Sequence, residues 1–225
     1  MLDESLNADF SRRVVIDTDR LPWIASPQAG VDRRPLDRIG GEVARATSLV
    51  RYAPASAFTE HSHGLGEEFL VLDGVFSDEH GDYPAGTYVR NPPGSHHAPR
   101  TGPGCMIFVK LRQMRESERQ RVVLLPDSVP WRKGERDGHE QRILHVAEDG
   151  AERVTMERLA PGCTLALDKS VGGAEIFVLS GSVADAFGDY GARTWMRIPP
   201  GIHHTLRSST GATYWSKRGH LAPPR

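Results

Sequence analysis

Cysteine is scarce in the 225-residue chain: Cys105 and Cys163 stand alone, with no C-x-x-C spacing. Neither a disulfide framework nor a cysteine-built zinc cluster is therefore expected to hold the fold, and both thiols should be buried, as free cysteines usually are. Long apolar runs are missing too. The longest, such as Phe69 to Leu72 and Val122 to Leu125, are four or five residues, far short of the roughly twenty that a membrane helix requires, so no membrane span is expected. Charge of one sign is not in excess, with 28 Lys+Arg against 29 Asp+Glu and a net charge of -1. That balance offers no polyanion-binding surface and argues against a nucleic-acid partner. The opening MLDESLNADF has neither a basic start nor an apolar stretch, so no secretory signal is expected and the expected location is the cytoplasm.

Glycine and proline, by contrast, are plentiful, at 23 and 16 residues. Between them lie brief apolar runs at Thr47–Ala53, Glu68–Leu72, Thr87–Arg90, Cys105–Leu111, Val154–Leu159, Ile176–Leu179, Thr194–Ile198 and Thr213–Ser216. Short strands joined by turns fit this pattern better than helices do. Gly81-Asp82-Tyr83 and Gly188-Asp189-Tyr190 are expected to turn hairpins. The charged stretch Arg112–Arg121 reads as a helix or, equally, as a solvated connector.

Self-similarity reorganises this reading. Pro54–Lys110 lies on Pro161–Lys217 at a constant offset of 107 without a gap, and 21 of the 57 positions are identical. Average residue usage would give only roughly one match in fifteen. With a one-residue slip the match runs upstream, pairing Trp23 with Trp131 and Gly30 with Gly138. The chain is a tandem duplication of an all-β unit of about a hundred residues. The expected spans are 1–111 for the first domain, 112–130 for a linker and 131–225 for the second.

One cluster in the first copy carries metal chemistry. His61 and His63 are two apart, which on a strand places both on one face, and Glu67 follows four residues later. After Gly86 and the bend Pro92-Pro93-Gly94 comes His96-His97. Three neutral imidazoles and a carboxylate form a mixed nitrogen and oxygen site for a divalent first-row metal: Zn, Fe, Mn, Ni or Cu. The spacing resembles the two signature motifs of the cupin superfamily, the first met by His61, His63, Glu67 and Gly74, the second by Gly86, Pro92, Gly94 and His97. This resemblance implies two tandem jelly-roll-like barrels, a bicupin.

The second copy acts as an internal control. There Asp168, Ser170 and Ala174 replace His61, His63 and Glu67, while Glu68 persists as Glu175. Glu67 has gone with the histidines, which marks it, rather than Glu68, as their partner. His96 and His97 both recur, as His203 and His204; adjacent strand residues face opposite ways, and the motif interval selects His97. The second barrel is expected to bind no metal tightly, with Asp168, Glu175 and His204 as a weak alternative. His80, His139, His145 and His220 have no partner at ligand spacing and are expected to be solvated. Arg90 and Arg197 suit either an anionic ligand or an acidic neighbour. Tyr88, Arg90, Phe69, Met106 and Phe108 are the expected walls of a ligand pocket.

The run from Val43 to Pro99 looks closer still to the cupin domain of ChrR-type anti-sigma factors, bacterial regulators that release a sigma factor under singlet-oxygen stress. The similarity covers roughly Trp23–Leu111, with a degenerate echo over most of the rest. It implies one divalent ion, zinc first, with Fe, Mn or Ni as alternatives, held by His61, His63, Glu67 and His97. It also implies a regulatory role in which a small molecule or oxidant acts on the metal centre. Those proteins grip the sigma factor through a separate N-terminal helical zinc domain, and nothing before Trp23 matches it, so the resemblance leaves a sigma factor as a partner only by another route. A homo-oligomer is compatible with the sequence. The competing expectation is a non-haem dioxygenase acting on an enol or β-dicarbonyl compound, since some cupin enzymes use the same ligands. A third reading has the metal only stapling the barrel.

Overall fold

The structure, a computed structural model, describes residues 5–41, 43–167 and 172–221. Among the described residues there is no α-helix, only a 3-10 turn at Thr18–Arg20, and the charged stretch Arg112–Arg121 is a series of turns and bends. No helix is long and apolar enough to cross a membrane. The chain forms two compact units, Met1–Ala8 with Leu21–Ser128 and Asp9–Arg20 with Val129–Arg225. These differ from the expected spans in two places: the segment from 112 to 128 belongs to the first unit, and Asp9–Arg20 to the second.

In the first unit the main sheet runs Ser5–Leu6, Val31–Ile39, Arg45–Tyr52, Cys105–Leu111, Glu67–Asp78, Tyr88–Asn91, Val122–Leu124, with His61–Ser62 and His96–His97 as a separate antiparallel pair. Residue alternation divides each strand between two faces. Val31, Val50, Phe69, Val71, Ile107 and Val109 meet in one apolar core with Phe76, whose ring sits 4.7 Å from that of Phe69 and 5.8 Å from that of Tyr52. The opposite face is buried but polar: Tyr88 donates to Glu68 at 2.7 Å, Arg90 pairs with Glu68 at 3.2 Å and Glu118 at 2.6 Å, and Lys110 donates to Thr47 at 2.8 Å. Each charge there has its partner, as burial demands.

Two details follow from local chemistry. Gly74 has a φ of 68°, and a Cβ there would lie 2.0 Å from the Gly104 carbonyl oxygen; Gly181 repeats both features against Gly211. Only glycine fits such a position. Gly81-Asp82-Tyr83 does not turn the hairpin as expected. Glu79 and His80 make the turn, and the returning strand is Gly81–Pro84, where Tyr83 gains a hydrogen bond from its hydroxyl to Asp78.

From its second strand on, the second unit repeats this order, with His139–Val146, Arg153–Leu159, Ala212–Arg218, Ala174–Ala184, Thr194–Ile198 and Val14–Asp17, while Arg132–Lys133 pairs with His139–Val146 as Ile24–Ala25 does with Val31–Ile39. Its outer faces match the first unit closely. Arg34 and Arg51 lie over Trp23, and Arg142 and Arg158 lie over Trp131. The edge strands show an exchange. Val122–Leu124 pairs with Tyr88–Asn91 in the first unit, and Val14–Asp17 takes the same place beside Thr194–Ile198 in the second. Each unit is thus closed by a strand that precedes, in chain order, the other repeat.

Candidate metal centre

His61 and His97 face each other across the short antiparallel pair, and Glu67 begins the long strand beside it. The ring centroids of His61, His63 and His97 are 4.7 to 5.1 Å apart. Glu67 Oε2 lies 3.4 Å from His63 Nε2 and 3.3 Å from His97 Nε2. The four side chains offer one ligand atom each, all within 4.8 Å of one another.

Each imidazole is oriented through its other nitrogen. His61 Nδ1 meets the Thr59 carbonyl at 3.0 Å, His63 Nδ1 the Ser95 hydroxyl at 2.9 Å, and His97 Nδ1 the Asp78 carboxylate at 3.3 Å. Ser95 in turn donates to the Pro92 carbonyl at 2.6 Å, so its oxygen accepts from His63. The protons are thereby held on Nδ1 and the Nε2 lone pairs turn inward, the arrangement that imidazole ligands need. Nε2 of His63 and Nε2 of His97 are buried without a hydrogen-bond partner. Buried polar atoms seldom stay unsatisfied, and a divalent cation among them and Glu67 would satisfy both. The residues present fit the metal.

The electrostatics favour the neutral ligand form at His63 and oppose it at His97. Burial lowers the His63 pKa, against the pull of Glu67, which favours the neutral ligand form. Burial pulls the same way on His97, but its bond to Asp78 and the nearby Glu67 charge outweigh it, and the His97 pKa is raised. Burial would raise the Asp78 pKa, yet bonds from His97, Tyr83 and the His80 amide hold it down to about 2. Asn91 fixes the remaining ligand, its amide donating to Glu67 Oε2 at 3.2 Å. Both supports converge on Arg121, which donates to Tyr83 at 2.7 Å and to Asn91 at 3.1 Å and lies 3.6 Å from Asp78. Asp78, Asn91, Ser95 and Arg121 are absent from the sequence-level expectation. The recurrence of Asp78 as Asp185 and of Arg121 as Arg13 was the available signal.

Glu68 stays on the opposite face with Tyr88 and Arg90. His96 is exposed, 4.0 Å from Glu60. A cavity of about 280 Å³ opens beside the centre, lined by His61, His63 and Glu67 and, further round, by Arg33, Tyr52 and Arg112. None of the five expected pocket residues lines it. Tyr88 and Arg90 belong to the polar network of the other face, where Arg90 is paired with acids, and Phe69 is buried in the apolar core. Met106 and Phe108 likewise lie outside the lining.

In the second unit Asp168 and Ser170 lie outside the described residues. Ala174 is buried where Glu67 would stand. Glu175 accepts from Trp195 at 3.3 Å and meets His220 at 3.2 Å, so it does not join His204, which faces Asp185 at 3.7 Å. His139 and His220 correct the expectation of solvated histidines. His139 Nε2 donates to Glu157 at 2.5 Å with both side chains buried, because strands distant in sequence bring an acid to each. Cys105 and Cys163 are free and buried as expected, and burial pushes the Cys105 thiol up to about 12.

Comparison with known proteins places this geometry. The profile of a family described as the ChrR Cupin-like domain matches residues 11–115 and again 119–222. No curated protein sequence matches the chain. Among solved structures, a proposed dioxygenase from Nostoc punctiforme is similar with a TM-score of 0.77 at 12% identity, over 95% of this chain and 85% of that one. The bacterial pirin YhhW of Escherichia coli in complex with nickel(II) gives 0.71 at 9%, over 94% and 100%. The oxalate decarboxylase of Lactobacillus farciminis in its formate complex gives 0.63 at 9%, over 92% and 86%. These likenesses extend to the fold.

Proposed function

Since the chain belongs to the ChrR cupin-like domain family through both of its repeats, we propose that its first unit is a sensory metal centre, in which a small molecule or oxidant acting on the bound ion alters an edge of the sheet. The ion is held by His61, His63, Glu67 and His97. When bound, it supplies a Lewis-acidic centre with positions left for an outside ligand. Zinc is the ion we propose, since it fits three imidazoles and a carboxylate.

The observation that carries the sensory reading is Arg121. This one guanidinium touches the supports of two ligands, Asp78 and Tyr83 behind His97 and Asn91 behind Glu67, and it stands directly before the edge strand Val122–Leu124. Displacing or modifying either ligand shifts the groups to which Arg121 donates, Tyr83 and Asn91, and so changes the stability of that edge. A switch needs such a difference in free energy between two states. Hydrogen exchange across residues 119–126, with and without metal and after mild peroxide treatment, tests it. Faster exchange on metal loss or oxidation is expected. Unchanged exchange in a chain shown by elemental analysis to have lost its metal would refute the sensor.

A second reading is favoured by the cavity. Room beside the ligands suits a non-haem dioxygenase acting on an enol or β-dicarbonyl substrate, with the three imidazoles keeping the ion and Glu67 taking the proton. Bound iron with oxygen uptake on such a compound would select it; zinc without oxygen uptake selects the sensor.

A further inference from the structure

The cavity beside the metal ligands carries a cation, Arg33, that no acid among the described residues neutralises. Arg33 points into the barrel from the strand Val31–Ile39, and among the described residues no acid pairs with it and no hydrogen bond holds its guanidinium. Partial burial and the neighbouring Arg38 lower its pKa, while its guanidinium stays open to the cavity. Arg38 is itself engaged, by the carbonyls of Gly40 and Gly41. Asp37, the one other carboxylate among the described residues that line the cavity besides Glu67, faces Arg45 at 3.9 Å. A second guanidinium, that of Arg112, lies against Gly64, where a Cβ would come within 2.2 Å of its Nη1. Tyr52 stands between the two chemistries, its phenol feeling both Glu67 and Arg33.

The duplicated unit shows that this charge is not part of the barrel's framework. Ladder pairing sets Arg33 against Val50, and Gln141 against Glu157. Gln141 thus takes the place of Arg33, Leu159 that of Tyr52 and Gly219 that of Arg112. The ligands and the cations have been lost together, whereas the outer Trp131, Arg142 and Arg158 persist. Where the second barrel does place a cation within, it also supplies the acid: Arg218 lies 3.6 Å from Glu157, which also accepts from His139 and Thr155.

We propose that the cavity binds a small carboxylate-bearing molecule, one end directed at the metal ligands and a carboxylate paired with Arg33. This rests on the metal-centre reading above and adds the ligand's class to it. Guanidinium and carboxylate match in geometry and form the stronger kind of hydrogen bond. The volume of about 280 Å³ is at the small end for ligand sites and suits a short-chain acid.

Calorimetric titration of the metal-loaded full chain with malonate and succinate, against malonamide and succinamide, tests it. The dicarboxylates are expected to bind about tenfold or more tightly than the diamides, and Arg33→Gln to erase that preference with metal content unchanged. Glutamine already stands at this ladder position in the second unit, so the variant should fold. Arg33→Lys, which keeps the charge and loses the fork, should retain part of the preference. A metal-loaded Arg33→Gln chain that still prefers the dicarboxylates, or diamides that bind equally well to the unaltered chain, would overturn the ligand class while leaving the metal centre intact. Absence of metal uptake by elemental analysis would overturn both.

Discussion

Glu67 and Glu68 are adjacent and chemically identical, yet one turns to three imidazoles and the other to Tyr88 and Arg90. Glu67→Ala is therefore expected to abolish tight metal uptake at little cost to folding. Glu68→Ala should keep the metal and lower stability by about 2–3 kcal/mol, because it strips a buried guanidinium of one partner. Elemental analysis and denaturant unfolding of both variants separate these outcomes; equal metal loss from both would contradict the assignment. Acidity adds a check. The raised His97 pKa means that in the metal-free chain a proton competes for this ligand already above pH 6.5, the ordinary value. Metal uptake should weaken steadily as the pH falls from 8 to 6, as a zinc titration at each pH would show. The clustering of His61, His63, Glu67 and His97 was legible in the sequence because spacing and the duplicate agree on these four. Arg33 was not, since a charged residue in a polar run reads as solvated until a neighbouring strand shows which way it points.

At the scale of elements, the strands with alternating or continuous apolar character were legible, and Cys105–Leu111 and Thr194–Ile198 match their expected bounds. Val31–Ile39 was not, and the reason is physical. Its inward side carries Arg33, Pro35 and Asp37, so the apolar alternation that announces a strand is missing where the strand lines the cavity. Likewise Arg112–Arg121 has the composition of a solvated helix, but its arginines serve the first barrel individually, Arg112 at the cavity and Arg121 at the ligand supports. Arg121→Ala is expected to weaken metal binding on the order of tenfold at most, less than removal of a residue that touches a ligand directly. It should also raise exchange at Val122–Leu124 to the metal-free rate even with metal bound. A competition assay against a chelator of known affinity reads the first effect; unchanged affinity would detach Arg121 from the centre.

For the whole molecule, a cluster of three imidazoles and a carboxylate in one repeat only is expected to give one metal ion per chain. His97→Ala should take the content from one to near zero, and His204→Ala should leave it at one, as mass spectrometry of the intact chain can count. A chain retaining two ions would contradict the asymmetry. The duplication was legible because offset and identity are properties of sequence. The exchange of edge strands was not: Val14–Asp17 and Thr194–Ile198 meet across most of the chain's length, and a pairing so distant leaves no local mark.

That exchange has a consequence for biosynthesis. The first barrel can close once Val122–Leu124 has left the ribosome, but Val14–Asp17, made before the first repeat, finds its mate only when Thr194–Ile198 emerges. At usual translation speeds the nascent Val-Val-Ile edge waits on the order of ten seconds or longer. During that interval a holdase, or a neighbouring polysome's copy of the same segment, competes for it. Slowing elongation over the second repeat should therefore lower the yield of native protein more than slowing it over the first.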